Sequence, residues 1–594
     1  MADLTTLAKH VSSDALKNIT EWLSQPKYAQ YKSEIEALIN EEDWRTLEDS
    51  FFKVVEFGTG GRRGTTGVGS NRINRVTMGE SAQAFCLYAA EQDSMAAQKG
   101  VVIACDTRLS SPELSQYVAG VCVANGFKVY IFDNFRATPE LSFAVRHLGA
   151  AIGIVISASH NPPADNGFKA YWNDGAQLVA PHDKGVLKQA TEISEILYTD
   201  YEQAVSTGSI TVISEAVDNA YVDAAASEAV GTHRDVAIVY SPLHGAGQTN
   251  VLPVLKKAGF TNISLVEDQM TPDGNFPTVE NGKPNPEEKA ANNRAVAQLL
   301  AERADIAITN DPDADRIGVV VRVGDDPVYL NGNQSAVLAA DYALKQLQAR
   351  GELTAKHYIA KTIVTTDMLN ALAQHYGITI YDNMLVGFKY IGELLLNKEN
   401  TDETFVVGGE ESYGLLKGTY SRDKDGAAGA LLLAEYAAEL KAEGRTLYDR
   451  LVELYGIHGL YLERLDNVVS PGADGFARMQ QVMQKLRTDA PREVGGHAVT
   501  AILDYASLEK TELTTGATSA IDCLAGNVVV LEFGDHRRRI TVRPSGTEAK
   551  IKFYVQWFEE IDVSEPAAID ALSTITKREI EGLSRELEGV LFAA

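Results

Sequence analysis

Four short runs of branched or small apolar residues each stop at a polar cluster, and this repetition constrains the fold more than any other feature. Residues 101–105, 152–156, 306–309 and 405–407 read as buried parallel strands. They run into Asp106-Thr107-Arg108, Ser157-Ala158-Ser159-His160-Asn161-Pro162-Pro163, Asn310-Asp311-Pro312-Asp313-Ala314-Asp315-Arg316 and Gly408-Gly409-Glu410-Glu411-Ser412-Tyr413-Gly414. Ligands of open α/β sheets sit at that end of the strands. A fifth run, 236–240, leads into Ser241-Pro242-Leu243-His244-Gly245 in the same way. The pattern predicts α/β units whose loops share one cleft.

Each loop offers a different chemistry. Pro162 and Pro163 forbid a simple continuation of strand or helix, so the strand before them delivers Ser159 onto a stiff exposed turn. Ser159 is a candidate nucleophile there, though a serine on such a turn can also do no more than cap backbone groups. Asp311, Asp313 and Asp315 alternate on a turn held by Pro312 and present hard oxygen ligands to one side, as Mg²⁺ requires. An EF-hand is excluded, because Arg316 and Arg322 stand where its glycine and glutamate belong. Glu410 and Ser412, flanked by glycines, can hydrogen-bond the vicinal hydroxyls of a sugar. Lys169 lies ten residues past Ser159, close enough to fold back over it. Lys424, in Arg422-Asp423-Lys424-Asp425-Gly426, is a further candidate cation.

Two more segments could bind anions. Phe57-Gly58-Thr59-Gly60-Gly61-Arg62-Arg63-Gly64-Thr65-Thr66-Gly67 is either an anion site or a flexible surface loop. It is not a P-loop, since no Gly-Lys-Ser/Thr follows, and Arg63 replaces the third glycine of a dinucleotide fingerprint. Arg543-Pro544-Ser545-Gly546-Thr547-Glu548 supplies a guanidinium, hydroxyls and backbone N–H groups suited to a phosphate dianion. It sits in an expected antiparallel meander (528–533, 539–543, 549–556), with a long helix after residue 564.

At 594 residues the chain exceeds one core. Its 45% hydrophobic and 23% charged content fits a soluble globular protein. A net charge of −27 argues against general binding to nucleic acid or anionic membrane, and requires basic groups to be gathered locally if the substrate is an anion. No signal peptide is expected after Met1, and the longest nearly apolar stretch, 426–434, is too short to span a bilayer. Cys86, Cys105, Cys122 and Cys523 lack metal or redox spacing, which favours free thiols in a reducing, cytoplasmic setting. Residues 1 to about 50 are predicted to be helical, with Leu16, Ile19, Trp22 and Leu23 on one face.

Taken together, these motifs resemble the α-D-phosphohexomutase superfamily, and its phosphoglucomutase branch in particular, over roughly residues 55–556. Ser157-Ala158-Ser159-His160-Asn161-Pro162 resembles the family's phosphoserine loop, which implies that Ser159 is phosphorylated and counts as a fourth metal ligand through that phosphate. Asp311, Asp313 and Asp315 match the metal loop, with Pro312 a departure at a non-ligand position and Arg316 following as in the family. Gly409-Glu410-Glu411-Ser412 resembles the sugar-binding loop. Arg543, Ser545, Gly546 and Thr547 fall in what resembles the phosphate-binding loop. Arg63 matches an N-terminal motif arginine, and Lys169 sits where the family has a proposed acid/base lysine. His160 and Lys424 join the implied catalytic set, and Gly387 and Lys389 the substrate-binding set. Several relatives carry a histidine where this chain has Gly414, a role that Lys424 could take over.

The resemblance implies four domains: three related α/β units with mixed sheets (1–205, 206–323 and 324–458) and a C-terminal α+β domain (459–594). It also implies one Mg²⁺ per chain and interconversion of glucose 1-phosphate and glucose 6-phosphate. Glucose 1,6-bisphosphate would be intermediate and activator. Mannose or pentose phosphates are alternative substrates, and monomer and dimer both stay open. An aspartyl-phosphate enzyme using Asp311 fits less well, because Asp315 occupies the place of that class's Thr/Val. A non-catalytic sugar-phosphate binder is a third possibility.

Overall fold

The computed structural model describes residues 4–55, 61–469, 473–545, 550–561 and 565–592. Phe57–Gly60, Gly546, Thr547 and Glu548 therefore lie outside the described residues. Three α/β units with mixed sheets are followed by a unit built on a seven-stranded antiparallel sheet.

One construction recurs in the α/β units. A central strand carries a functional loop, and the chain comes straight back as an antiparallel neighbour. In the first unit Ile152–Ile156 returns as Asp165–Tyr171, with Val155 opposite Lys169. In the second, Ile306–Asn310 returns as Ile317–Val323. In the third, Thr404–Gly409 returns as Leu415–Lys417. The remaining inner strands pair in parallel and are buried on both faces, as their continuous apolar runs require. Each loop is therefore tethered at both ends by hydrogen-bonded backbone.

Two expected boundaries move outward. Ile210–Ile213 pairs in parallel with Val129–Phe132 and completes the first sheet, past residue 205. Asp326–Leu330 closes the second sheet past residue 323, through a two-residue turn containing Gly324 at φ +62°. Both are edge strands with weak alternation, so their sequences say little about which sheet they join. The helix His182–Glu192 follows the first unit's return strand, and a short 3₁₀ turn followed by the helix Asn293–Glu302 leads into the strand Ile306–Asn310.

The N-terminal helices form a satellite core in which Trp22 stacks on Tyr28 with centroids 4.4 Å apart and meets Phe51 edge-on. Ile19 and Trp22 are buried there, while Leu16 and Leu23 pack partly exposed at its margin. The apolar stretch at 426–434 opens the helix Gly426–Ala442, which is buried all round between the helices Val251–Lys257 and Gly332–Ala349. No described helix is long and apolar enough to cross a membrane. Cys86, Cys105 and Cys122 are buried free thiols, and Cys523 is a free thiol partly exposed.

Polar side chains join the first two units. Thr138 Oγ1 donates to Asp313 Oδ2 at 2.6 Å, and Glu140 Oε2 accepts from Thr249 Oγ1 at 2.6 Å. Burial pushes the Glu140 carboxyl from its ordinary 4.5 up to about 7, despite those hydrogen bonds and nearby Arg136. The folded state thus holds this proton more tightly than the unfolded chain. Its contribution is fully present below pH 4.5 and lost as pH rises through about 7. Glu140→Gln is expected to remove a pH-dependent loss of about 3 kcal/mol across that window, read as a flatter pH profile of urea unfolding.

Candidate active site

Ser159 occupies the left-handed region at φ +52°, a conformation costing a non-glycine residue about 1–3 kcal/mol. The buried guanidinium of Arg108 holds it there. Nη2 donates to the carbonyls of Ser159 and Asn161 at 2.5 and 2.6 Å, and Nη1 to those of Pro162 and Asp165 at 2.6 and 2.9 Å. Nε pairs with Asp106 at 3.1 Å. Arg108 stands at the end of a strand whose loop is expected at the cleft, yet its donors are committed to backbone carbonyls and to Asp106. Residues 157–163 carry no feature that announces such a clamp.

The turn aims Ser159 Oγ at the metal loop. Oγ donates to Asp311 Oδ2 at 2.6 Å and lies 3.2 Å from Nδ1 of His160. Asp311, Asp313 and Asp315 are all buried, with one carboxylate oxygen of each lying within 4.8 Å of the other two. Burial, then Asp315 and Asp313, push the Asp311 carboxyl well above the usual range. The Oδ1 atoms of Asp313 and Asp315 have no hydrogen-bond partner among the described residues. Hard oxygens crowded in this way, two of them unanswered, fit a divalent cation. Pro312 is accommodated because the neighbouring loop carries Gly245, where a Cβ would come within 2.4 Å of Pro312 Cα. That loop, Ser241–Gly245, offers the cleft no functional group. His244 is spent on the Thr271 carbonyl and the Thr278 hydroxyl, each at 2.8 Å.

Lys169 and Lys424 both reach the triad and meet at Asp315 Oδ2. Lys169 is ion-paired with Asp313 and lies 3.2 Å from Asp315. Lys424 Nζ lies 2.9 Å from Asp315 Oδ2 and 3.3 Å from Asp423. Gly414 makes that reach possible: a Cβ there would stand 2.5 Å from Lys424 Cδ. Arg316 Nη1 pairs with Glu287 at 2.6 Å, and its Nε lies 3.8 and 3.9 Å from Asp311 and Asp315.

The sugar-binding loop is stitched to the metal loop, since Ile317 N donates to the Tyr413 carbonyl and Arg316 bridges Gly414. Glu410 is buried, and burial with Glu411 beside it pushes its carboxyl up to about 7, against the pull of Lys424 and Arg316. Ser412 is half-buried two residues on. Gly387 precedes the helix Phe388–Lys398, and Lys389 in its first turn is buried, 3.6 Å from Asp183.

Of the expected phosphate loop, Arg543 and Ser545 are described; Ser545 N donates to the Lys550 carbonyl at 2.8 Å, closing the hairpin. Arg543 pairs with Lys552 across the sheet. Lys550 and Lys552 were missed in the sequence, although their two-residue spacing puts them on one strand face. Burial, then Arg316, Arg63, Lys550 and Lys552, hold the His160 imidazole well below its ordinary value. Cations from three separate regions of the chain therefore converge on the serine loop. Arg63 passes over Gly167, whereas its neighbour Arg62 is buried against the Thr77 carbonyl and Glu80.

Comparison with known proteins agrees with this geometry. The chain matches phosphoglucomutase/phosphomannomutase alpha/beta/alpha domain I over residues 54–197, domain II over 219–324 and domain III over 331–455. It is 34% identical over 530 residues to a phosphoglucomutase of Staphylococcus epidermidis, covering 88% of this chain and 94% of that one. A Staphylococcus aureus phosphoglucomutase is 34% identical over 512 residues, covering 85% and 90%. Among solved structures, a phosphoglucomutase of Paramecium superposes with TM-score 0.63 at 19% identity, covering 89% of this chain and 94% of that one. A putative phosphomannomutase of Thermus thermophilus gives 0.61 at 23%, covering 89% and 100%. The chain belongs to the phosphoglucomutase/phosphomannomutase family of isomerases, on the phosphoglucomutase branch of the α-D-phosphohexomutase superfamily.

Proposed function

We propose that this chain interconverts glucose 1-phosphate and glucose 6-phosphate, with Ser159 as the residue that carries the phosphoryl group. The observation that supports this most is the 2.6 Å hydrogen bond from Ser159 Oγ to Asp311, joining residues 152 positions apart. Four domains surround the site, and the enzyme works in the cytoplasm.

Phosphorylated Ser159 gives its phosphoryl group to the free hydroxyl of a bound sugar monophosphate. The Oγ–P bond breaks, a new sugar O–P bond forms, and the hydroxyl proton passes to a nearby base while Oγ regains one. Lys169 and Lys424, which share Asp315, handle these protons, and His160 orients Oγ. A Mg²⁺ held by Asp311, Asp313 and Asp315 would neutralise charge on the transferring group. Arg316, beside the triad, adds a fixed positive charge to the same place. Arg543, Ser545, Gly546 and Thr547, with Lys552 beside them, hold the substrate's other phosphate. Glu410 and Ser412 grip the sugar hydroxyls, Gly387 and Lys389 border the ring, and Arg63 faces the serine loop. The bisphosphate then turns over and returns its second phosphate to Ser159, whose neighbours are already arranged to receive it.

Ser159→Ala is expected to abolish formation of glucose 6-phosphate from glucose 1-phosphate in a coupled assay, with an unchanged circular dichroism spectrum. Turnover near that of the parent chain refutes the nucleophile. Dialysis against a chelator should remove activity, and added Mg²⁺ should restore it; full activity after dialysis speaks against the metal. Gly414→Ala is expected to push Lys424 off Asp315 and lower kcat about tenfold or more with KM little changed. An unaltered kcat removes Lys424 from the chemistry.

A further inference from the structure

Behind the third sheet lies a cavity of about 460 Å³, apart from the catalytic cleft. That volume suits a small organic ligand. One wall is apolar, formed by Leu395 and Phe405 on one face of the sheet, with Ala343 and Leu347 on the other side of the cavity, and Lys398, Lys417 and Arg422 stand around the rest. The two lysines are already ion-paired, Lys398 with Glu403 and Lys417 with Glu228.

Arg422 is answered differently. It is 2% exposed, and its backbone is fixed by the hydrogen bond from its N to Ser142 Oγ at 2.9 Å. Nη2 donates to Glu399 Oε1 at 2.9 Å, while Nε and Nη1 have no acceptor among the described residues. A buried guanidinium seldom leaves two nitrogens unmet. Glu399 also receives Nη2 of Arg146 at 3.3 Å, yet its side chain is 45% exposed. A half-exposed carboxylate is thus shared by two arginines, one of them deeply buried and under-satisfied. This is the arrangement of an anion site with a side chain standing in for the anion.

We propose that this cavity binds a small phosphorylated metabolite with an apolar body, its phosphate displacing Glu399 from Arg146 and Arg422 while the body lies along the apolar wall. Guanidinium pairs suit phosphate better than a single carboxylate, because they match its several oxygens. The apolar wall would add affinity that inorganic phosphate cannot gain. The site is independent of the reaction assigned above: Arg422 faces this cavity, whereas Lys424 two residues on faces Asp315.

Phenyl phosphate, a phosphate on an apolar ring, is the probe, titrated calorimetrically into the full chain with glucose 6-phosphate present in excess. One equivalent should bind, about tenfold or more tighter than inorganic phosphate. Glu399→Ala should tighten binding about threefold or more by removing the internal competitor. Arg422→Gln should weaken it about tenfold or more. Val230→Trp, which adds bulk to the lining and leaves the cations alone, should weaken it likewise, so the test survives if Arg422→Gln misfolds. The proposal is overturned by no binding at millimolar probe, by displacement with glucose 6-phosphate, by equal affinity for phosphate and probe, by no tightening in Glu399→Ala, or by unchanged affinity in Val230→Trp.

Discussion

A single buried guanidinium sets the conditions for everything at the site. Arg108 gathers four carbonyls of the serine loop, a concentration of partial negative charge that an apolar interior would otherwise not tolerate. With those carbonyls satisfied, Ser159 can sit in a left-handed conformation and turn its hydroxyl toward Asp311. Asp106 completes the arrangement by neutralising Arg108 and accepting from Ser111 at 2.6 Å. The strain at Ser159 is stored in a loop whose every exit is hydrogen-bonded, which is how strained residues persist in folded proteins.

Around this loop the charges are balanced in pairs that a bound ion or phosphate would rearrange. Three carboxylates are compressed together, and Lys169, Lys424 and Arg316 lean on them from outside. Opposite them, Arg543, Lys550 and Lys552 bring positive charge from the last unit of a chain whose net charge is −27. An acidic chain and a basic pocket are reconciled by gathering a few of its basic groups in one place.

Much of this was legible in the sequence because the chemistry sits in contiguous motifs at strand ends. Ser159, the aspartate triad, Glu410 and Lys169 announce themselves by residue type and spacing, and the structure brings them together. What was not legible depends on partners far apart in the chain. Arg108 looks like any cation until its four carbonyl partners are in place, and Glu287 is an ordinary acidic residue until Arg316 reaches it at 2.6 Å. Which strands supply the antiparallel pairing of the expected mixed sheets was not legible, because a strand after a loop has the same alternation whichever direction it pairs. Edge strands at 210–213 and 326–330 were hidden for a related reason: short segments with one paired side carry little pattern. The residues of the phosphate loop beyond Ser545 lie outside the described part and stay with the proposal.

The proposed nucleophile, the carboxylates that could hold a metal, the acid proposed to grip the sugar and the distal cations lie on separate parts of the chain, from residue 159 to residue 552. A growing polypeptide emerging from the ribosome therefore holds its reactive serine for hundreds of residues before the groups that would act on it exist. Until the final hairpin docks, the chain has no assembled machinery with which to take phosphate from a sugar or lose it to water. Synthesis order thus sets the earliest moment at which the proposed site can be assembled.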